Sequence, residues 1–507
     1  GEEEGLAELK VRRATFQNIY ADINSLTIML TICALSRLSL NQIISVVAKS
    51  SIVSKRFTSV FQKARILNEK WGYGQSETLN YLTESLKEQQ LKNYFTRLKH
   101  AVKAGVALED FARIEYSKYL AELENEFEKG LEKLRRLVEA YSTLVSIVSL
   151  LMVSFILVSI IFGSSDSGGV MELSFLSITM TLSSTTLIFA TNNLRRRMLN
   201  SYPVRPSRLS LLERLAKPLT AACLLLVALS PQFAVFLGGQ SVAYSSTALA
   251  AAGAPLALHG FLGRRWCRRV NTYEAVLPIF LKSFGDYLNA TGSYRSTARM
   301  LVVSGFGPIQ SLVQNIETRM KLGISHAHSL TLFGREMLSN LAEKTLGLLA
   351  ETLEGGARPT EACSVLSEHV SSTLMRDKRR GQITSSLKSL SIPLQAVLAA
   401  ISALMTTLLS ILSGVAKLMQ PYLMLIKPVE YSVAVNYFYT IMVAVAVITA
   451  VNIYLADGDS VFSFTHYLGM LLLVSGLSFF SMATASERIL SSFASFGRGM
   501  SSLVGQR

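Results

Sequence analysis

The chain has few cysteines and no cysteine pairs. The four that occur are isolated, and none forms a CxxC pattern: Cys33, Cys223, Cys267 and Cys363. Structural zinc sites and disulfide frameworks both depend on paired or clustered cysteines. We therefore predict neither, and expect these four side chains to act as small buried apolar groups.

Catalytic signatures are missing as well. The sequence contains no GxxxxGK[ST] phosphate loop, no HExxH and no GxSxG, and the chemistry of each depends on that spacing. His326 and His328 are two residues apart, so on a helix they would point to different faces, which disfavours a metal site. We predict a protein that is not an enzyme and carries no cofactor.

Acidic residues are scarce compared with basic ones, with 35 Asp and Glu against 50 Lys and Arg. A basic surplus suggests nucleic acid, anionic lipid or an acidic protein as partner. Here the basic residues lie beside apolar runs and lack interleaved aromatic residues, so we predict lipid and protein partners and no nucleic acid. Half of the residues are hydrophobic, which is more than one water-soluble core needs.

The apolar residues are concentrated in runs long enough to cross a bilayer, which takes roughly 20 residues. Seven such runs are predicted, at residues 143–162, 173–190, 218–237, 242–262, 391–416, 433–456 and 466–485. Because the first ten residues are acidic and resemble no secretory signal, we expect insertion to rely on these internal spans. The fold class is therefore an all-α, polytopic membrane protein.

Clusters of arginine indicate the orientation of the spans. Arg195–Arg197 follow the second run, and a second cluster follows the fourth: Arg264, Arg265, Arg268 and Arg269. By the positive-inside rule both clusters are cytoplasmic. The C-terminal side stays open, because strict alternation puts Lys417 and Lys427 outside and the acidic turn at Asp457 inside, against the charge bias.

These observations divide the chain into seven segments. They are a first cytoplasmic helical domain (1–142), a transmembrane hairpin (143–192), a basic cytoplasmic connector (193–217), a second hairpin (218–262), a second cytoplasmic helical domain (263–390), the last three spans (391–485) and a C-terminal tail (486–507). The predicted location is the plasma membrane, with both large domains in the cytoplasm.

The two polar domains look like copies of one another. Both show helical periodicity, and the first ends in a long amphipathic stretch that we predict to continue as one helix into the first span. Phe95–Phe111 can be laid over Leu346–Ala362, so that Gly105 coincides with Gly356. The repetition of this turn before a span predicts two duplicated helical-bundle domains.

Three stretches carry a further pattern. LPIFLKSFGDYLNATGSYRSTARML (Leu277–Leu301) has Gly292 at the turn of a helix pair, LLAETLEGGARPTEACSVLSEHV (Leu348–Val370) contains a Gly-small-Pro-x-Glu-Ala turn at Gly356, and NIYLADGDS (Asn452–Ser460) contains an Ala-Asp-Gly turn. In this order among the spans they resemble the type II secretion and type IV pilus platform family, in its archaeal two-domain form.

The first copy departs from the family pattern at two places. It has Leu38-Ser39-Leu40 where the second copy has Gly292, and Glu109-Asp110-Phe111 after its turn in place of Glu-Ala. The first copy is therefore distinguished from the second at both of these turns.

The resemblance implies a membrane platform that couples a hexameric secretion ATPase to the insertion or rotation of pilin-like filament subunits, and a homo-oligomer, with a dimer favoured. Candidate residues for docking the ATPase are basic: Lys99, Lys103, Arg376, Lys378, Arg379 and Arg380. A positive anchor for lipid headgroups is the other interpretation of these charges. The filament could serve swimming, adhesion or DNA uptake.

A channel or secondary transporter with large cytoplasmic domains is the alternative function. Ionisable side chains inside spans are the usual mark of an ion or substrate path, and the predicted spans contain almost none. The platform is therefore the preferred hypothesis.

Overall fold

The computed structural model describes residues 23–162, 178, 185–186, 206–236, 241–419, 431–458 and 460–504. The described residues form α-helices joined by short turns. The N-terminal helices are α1 (Ile23–Leu35), α2 (Leu40–Lys49), α3 (Lys55–Trp71), α4 (Gln75–Ser85), α5 (Gln89–Lys103) and α6 (Leu108–Phe162). The middle helices are α7 (Ser207–Phe236), α8 (Ser241–Thr291), α9 (Tyr294–Ser304), α10 (Gln310–Lys321), α11 (His326–Glu336) and α12 (Asn340–Glu354). The last are α13 (Pro359–Met419), α14 (Tyr431–Asp457) and α15 (Val461–Val504).

The chain divides into two compact units. Unit 1 contains the described residues of 1–128 and 268–377, and unit 2 those of 129–197, 204–267 and 378–507. Helix α6 is continuous from Leu108 to Phe162, as the amphipathic pattern predicts. The predicted tail at 486–507 is helical as far as Val504.

Unit 1 contains two sets of helices that match one another in order, and some pairs also match in length. Helices α4 and α11 both have 11 residues, and α5 and α12 both have 15. Each member of the first set precedes its counterpart by the same number of residues, as do the starts of α6 and α13. Helices α2, α3 and the end of α1 correspond in order to α9, α10 and the end of α8, although α3 has 17 residues and α10 has 12. We call these sets the first and second repeat.

The turns after α5 and α12 have the same backbone geometry. Gly105 and Gly356 have φ angles of 73° and 89°, which favour glycine because it has no Cβ. In both turns this glycine N–H donates to a carbonyl three residues back, and the next N–H donates to one five residues back, at 3.0 Å. This is the Schellman helix end. Gly105 and Gly356, which align in the sequence, thus also adopt the same backbone conformation.

In the turn after α1, the residue with the left-handed conformation lies one position before Leu38-Ser39-Leu40, the residues that the sequence comparison placed opposite Gly292. The residue that matches Gly292, with a φ angle of 60°, is Arg37, also at 60°, and not Leu38. A left-handed conformation is unfavourable for a residue with a side chain. Arg37 Nε donates to Glu109 Oε2 at 2.7 Å, an ion pair that holds Arg37 in this turn and lowers the pKa of Glu109.

Both repeats contribute to one continuous apolar core. Its largest buried rings come from both: Phe57, Phe61 and Phe95 from the first repeat, and Phe280, Phe284 and Phe333 from the second. The loop between α2 and α3 (50–54) has as many residues as the connection between α9 and α10 (305–309), which includes the 3-10 turn Gly307–Ile309. Ile52 within the first loop packs against Gly347 on α12. The two predicted helical domains therefore pack together within unit 1.

Unit 2 contains helices that could cross a membrane. Within the described residues, three helical segments are long and apolar enough: Pro359–Ile411, Val435–Asp457 and Val461–Ser486. They overlap the fifth and sixth predicted spans and contain the seventh. The first, third and fourth predicted spans lie on α6, α7 and α8, whereas most of the second, 173–190, lies outside the described residues.

Glycines bring α8 and α15 unusually close together. A Cβ added to Gly469 would lie 2.2 Å from the backbone nitrogen of Ala257, and one added to Gly260 would lie 2.3 Å from that of His466. Gly253 and Gly476 face the other helix in the same way. Such small residues allow two helix backbones to approach, which is how helices associate in membranes. The contacts run in opposite order along the two helices, so α8 and α15 are antiparallel.

The acidic turn between α14 and α15 lies at the arginine-rich end of unit 2. Ser460, directly after the turn, contacts Cys267 at 3.1 Å between Oγ and Sγ. Asp457 Oδ1 is 2.6 Å from Lys388 Nζ, so a basic residue neutralises the acid. The turn therefore lies beside Cys267 on α8 and Lys388 on α13.

Candidate functional site

The candidate residues Lys99 and Lys103 lie on α5 in the first repeat. The opposite face of α5 is buried through Leu91, Phe95 and Leu98, which directs the polar face outward. Lys103 is exposed and Lys99 half-buried. They share their face with further polar residues at helical spacing: Lys92, Thr96 and His100. This set, Lys92 to Lys103, is called the α5 basic face.

The counterpart of this face in the second repeat has the opposite charge. Under the overlay of Gly105 on Gly356, Lys92, His100 and Lys103 correspond to residues with carboxylate side chains: Glu343, Glu351 and Glu354. The two faces also differ in burial. Part of the α12 face packs within unit 1, whereas His100 and Lys103 on the α5 face are exposed. The first repeat therefore presents an exposed basic surface where the second presents an acidic one.

Glu351 joins the two repeats at the covered part of the α12 face. Its Oε2 accepts from Ser50 Oγ at 2.5 Å, and its Oε1 accepts from the Ser51 N–H at 2.7 Å and from Ser51 Oγ at 2.6 Å. Ser50 Oγ in turn accepts from the N–H of Ile52 and Val53. The Glu351 carboxylate thus holds the α2–α3 loop of the first repeat against α12 of the second repeat.

The remaining candidate residues occupy α13, and the structure separates them. Lys378 and Arg379 are exposed, whereas Arg376 and Arg380 are buried, with exposed fractions of 8% and 5%. Arg376 belongs to unit 1 and the other three to unit 2. The residues of this run that remain available to a partner at the surface are therefore Lys378 and Arg379.

Arg376 packs between the two repeats. Its Nη1 lies 3.7 Å from Glu124 Oε2 on α6, and its Nη2 donates to Thr373 Oγ1 at 3.0 Å. Burial lowers the pKa of Arg376, while Glu124 opposes this shift. Its position indicates a structural contact between α6 and α13.

Near Arg376, the buried imidazole of His369 provides a pH-dependent contribution to stability. Burial, followed by the charge of Arg376, lowers the pKa of His369 from 6.5 to about 4. The unfolded chain binds this proton near pH 6.5 and the folded chain only near pH 4. The stabilisation is therefore complete above pH 6.5 and is lost as the pH falls from 6.5 towards 4.

We expect His369→Gln to reduce the acid sensitivity of unit 1. The melting temperature of the full chain should fall less steeply between pH 6.5 and pH 4 in this variant than in the wild type. The control is His328→Gln, because His328 is exposed and should leave the slope unchanged. Equal slopes for His369→Gln and the wild type would contradict the buried neutral state.

Unit 2 contains a buried polar cluster, which bears on the alternative of a transporter. Tyr141 Oη and Thr449 Oγ1 are 2.7 Å apart, and Gln395 Nε2 donates to Ser475 Oγ at 2.8 Å. The adjoining cavity has a volume of about 10 Å³, enough for at most one water molecule. Its lining residues carry no formal charge, so the cluster is typical of helix packing in membranes.

Metal and thiol chemistry receive no support from the described part of the chain. Within it, no group of three His, Cys, Asp or Glu side chains is placed to hold a metal ion. All four cysteines are buried, and burial raises the pKa of Cys33 to about 12. Thiols with such a high pKa are poor nucleophiles at neutral pH.

Sequence reasoning missed two features of this structure. The first is the junction at Glu351, which joins residues 300 positions apart and leaves no local pattern in the sequence. The second is the glycine contact between α8 and α15. Its signal was the seven-residue spacing of Gly253 and Gly260, repeated in Gly469 and Gly476, which puts each pair on one helix face.

The chain is similar to the flagella accessory protein J of Methanocaldococcus jannaschii. The two are 23% identical over 316 residues, which cover 61% of this chain and 55% of the relative. The match thus spans about half the length of that relative. No protein-family profile matches the chain, and no solved structure matches it. In its described part the chain is therefore helical, with three segments long and apolar enough to span a membrane, and it has a distant similarity to a flagella accessory protein.

Proposed function

We propose that this chain is the membrane platform subunit of an archaellum-like or type IV pilus-like assembly machine. In this role it is not an enzyme, and it couples a hexameric secretion ATPase in the cytoplasm to the insertion or rotation of pilin-like filament subunits. It lies in the plasma membrane, is surrounded by lipid and assembles as a homo-oligomer, with a dimer favoured. The similarity to flagella accessory protein J supports a role in motility.

The topology belongs to the same proposal. Seven spans place both repeats in the cytoplasm, and the repeats arose by duplication. The matching lengths of α4 and α11 and of α5 and α12 support the duplication. The position of the acidic turn near Lys388 and Cys267 supports the alternating order of the last spans.

The main observation in favour of an ATPase contact is the difference in charge between equivalent faces of α5 and α12 in the two repeats. A face that is acidic on α12 is basic on α5, where His100 and Lys103 are exposed and Lys92 and Lys99 are half-buried. Charges at a protein surface can steer and hold an oppositely charged partner. The α5 basic face therefore suits an acidic protein surface, and Lys378 and Arg379 are further candidates for protein or lipid contact.

Charge reversal on α5 tests the ATPase contact. We expect Lys99→Glu combined with Lys103→Glu to lower the affinity of the full chain for the ATPase at least tenfold, because two attractive contacts become repulsive. The measurement is co-purification from membranes, followed by binding of the purified chain in nanodiscs at two salt concentrations. The effect should shrink at high salt, since exposed charges are screened.

The control is Lys87→Glu. Lys87 is exposed in the same repeat but lies at the other end of α5, before its first residue. It should leave co-purification unchanged, and all variants should insert into membranes like the wild type. Unchanged ATPase binding in the α5 double variant would count against docking on this face.

The alternative, a channel or secondary transporter, remains testable in liposomes. Flux of an ion or small solute through the purified chain without any ATPase would support it. The uncharged lining of the small cavity near Tyr141 and Gln395 gives that alternative little physical basis in the described part of unit 2.

A further inference from the structure

Two exposed apolar tips occur at equivalent turns of the repeats. The turn after α3 reads Lys70-Trp71-Gly72-Tyr73, and the turn after α10 reads Lys321-Leu322-Gly323-Ile324. The glycines have φ angles of 67° and 81°. Both turns therefore have a glycine in the left-handed conformation and share one sequence pattern of lysine, apolar residue, glycine and apolar residue.

Each tip exposes its large apolar side chain to an unusual degree. Trp71 is 70% exposed and Leu322 is 75% exposed. Tyr73 and Ile324 are also more than a third exposed. Single exposed apolar residues are common on protein surfaces, but the same exposure at both copies of one turn points to a function that the repeats share.

Contacts within unit 1 place both tips at one end of it. In the first repeat, Asn41 at the start of α2 hydrogen-bonds Asn68 near the end of α3, and Arg37 pairs with Glu109 at the start of α6. The turns after α1, α3 and α5 therefore lie together. Lys103, the last residue of α5, is at this same end.

The second repeat repeats this arrangement. Arg295 Nη2 donates to the carbonyl of Met320 near the end of α10 at 3.4 Å, and Tyr294 stacks on His326 with ring centroids 3.9 Å apart. The N–H of Arg358 donates to Ser36 Oγ at 3.0 Å, which joins the turn after α12 to the turn after α1. We call this the turn end of unit 1.

We propose that the two tips form a paired docking site for two neighbouring subunits of an oligomeric protein, each with an apolar pocket rimmed by carboxylates. Two copies of one motif fit a partner that itself repeats, the apolar side chains fit pockets, and the adjacent lysines fit acidic rims. This inference rests on the proposed function, in which the partner is the secretion ATPase, and it adds where and how that oligomer is held.

The test compares Trp71→Ser, Leu322→Ser and the double variant in the full chain in nanodiscs, with the hexameric secretion ATPase of the same assembly system as the probe. Each single variant should weaken binding about tenfold or more, and the double variant by about a hundredfold or more, because two linked contacts reinforce each other. The control is Val303→Ser, since Val303 is 82% exposed but lies at the far end of α9. Melting temperatures should match the wild type throughout.

The possible results separate this inference from the proposed function. If the tip variants bind normally and charge reversal at Lys99 and Lys103 abolishes binding, the tips are excluded and the platform function stands. If the wild-type chain does not bind the ATPase, both fall. A loss in only one single variant, with the other like the wild type, overturns paired docking.

A bilayer is the competing occupant, because tryptophan and lysine also suit a membrane interface. It is tested in a Trp266→Phe background, which leaves Trp71 as the single tryptophan, in nanodiscs that contain brominated lipid. We expect no quenching of Trp71 fluorescence without the ATPase. Strong quenching would place the tip in the bilayer and overturn the proposal.

Discussion

Gly469→Ala is expected to destabilise unit 2 by about 3 kcal/mol or more and to lower the yield of folded protein sharply. The added methyl group would lie 2.2 Å from the backbone nitrogen of Ala257 and 2.7 Å from its Cα. Backbone atoms cannot rotate away as a side chain can. The clash is therefore relieved only if α8 and α15 move apart, and this would also loosen the contacts of Gly253, Gly260 and Gly476.

The matched control is Gly381→Ala in α13. A Cβ at Gly381 meets no atom within 4 Å, so the substitution should leave stability unchanged or raise it by up to about 1 kcal/mol, the difference in helix propensity. The measurement is the thermal unfolding of both variants in the same detergent. Similar melting temperatures for Gly469→Ala and the wild type would show that α8 and α15 are not in backbone contact.

Glu351→Ala should destabilise the packing of the two repeats by about 2–3 kcal/mol. The carboxylate accepts three hydrogen bonds from Ser50 and Ser51, and its removal leaves these donors without their acceptor. The α2–α3 loop should then open first, which hydrogen exchange of residues 50–54 would reveal as a local increase in rate.

The control is Glu354→Ala, three residues further along α12. Glu354 is exposed, so its removal should change stability by less than about 0.5 kcal/mol. A double-mutant cycle with Ser51→Ala should show coupling to Glu351 and none to Glu354. If Glu351→Ala and Glu354→Ala behave alike, the loop is held by Ile52 packing alone.

The same loop explains why the two repeats do not present equivalent surfaces. Ser50, Ser51 and Ile52 in the first-repeat loop reach α12, where Gly347 leaves room for Ile52. The α12 face is thereby partly used for internal packing, and α5 keeps its basic face at the surface. Divergence in one short loop thus assigns a structural role to one helix and leaves its counterpart available to a partner.

The sequence by itself determined the helical class, the long apolar runs and the resemblance of the two polar segments. These follow from local rules: helical periodicity, span length and the need for glycine at a left-handed turn, as at Gly105 and Gly356. The same rules located the basic residues but treated all six alike, because a charge count carries no information about burial.

Only the tertiary structure decided which of those charges reach the surface. Arg376 and Arg380 are as basic in sequence as Lys378, yet packing buries both. Tertiary structure also paired Asp457 with Lys388, joined the repeats through Glu351 and brought Gly469 against α8. Each of these contacts joins residues far apart in the chain, and whether such residues meet depends on how the whole chain packs, which local periodicity and spacing do not encode.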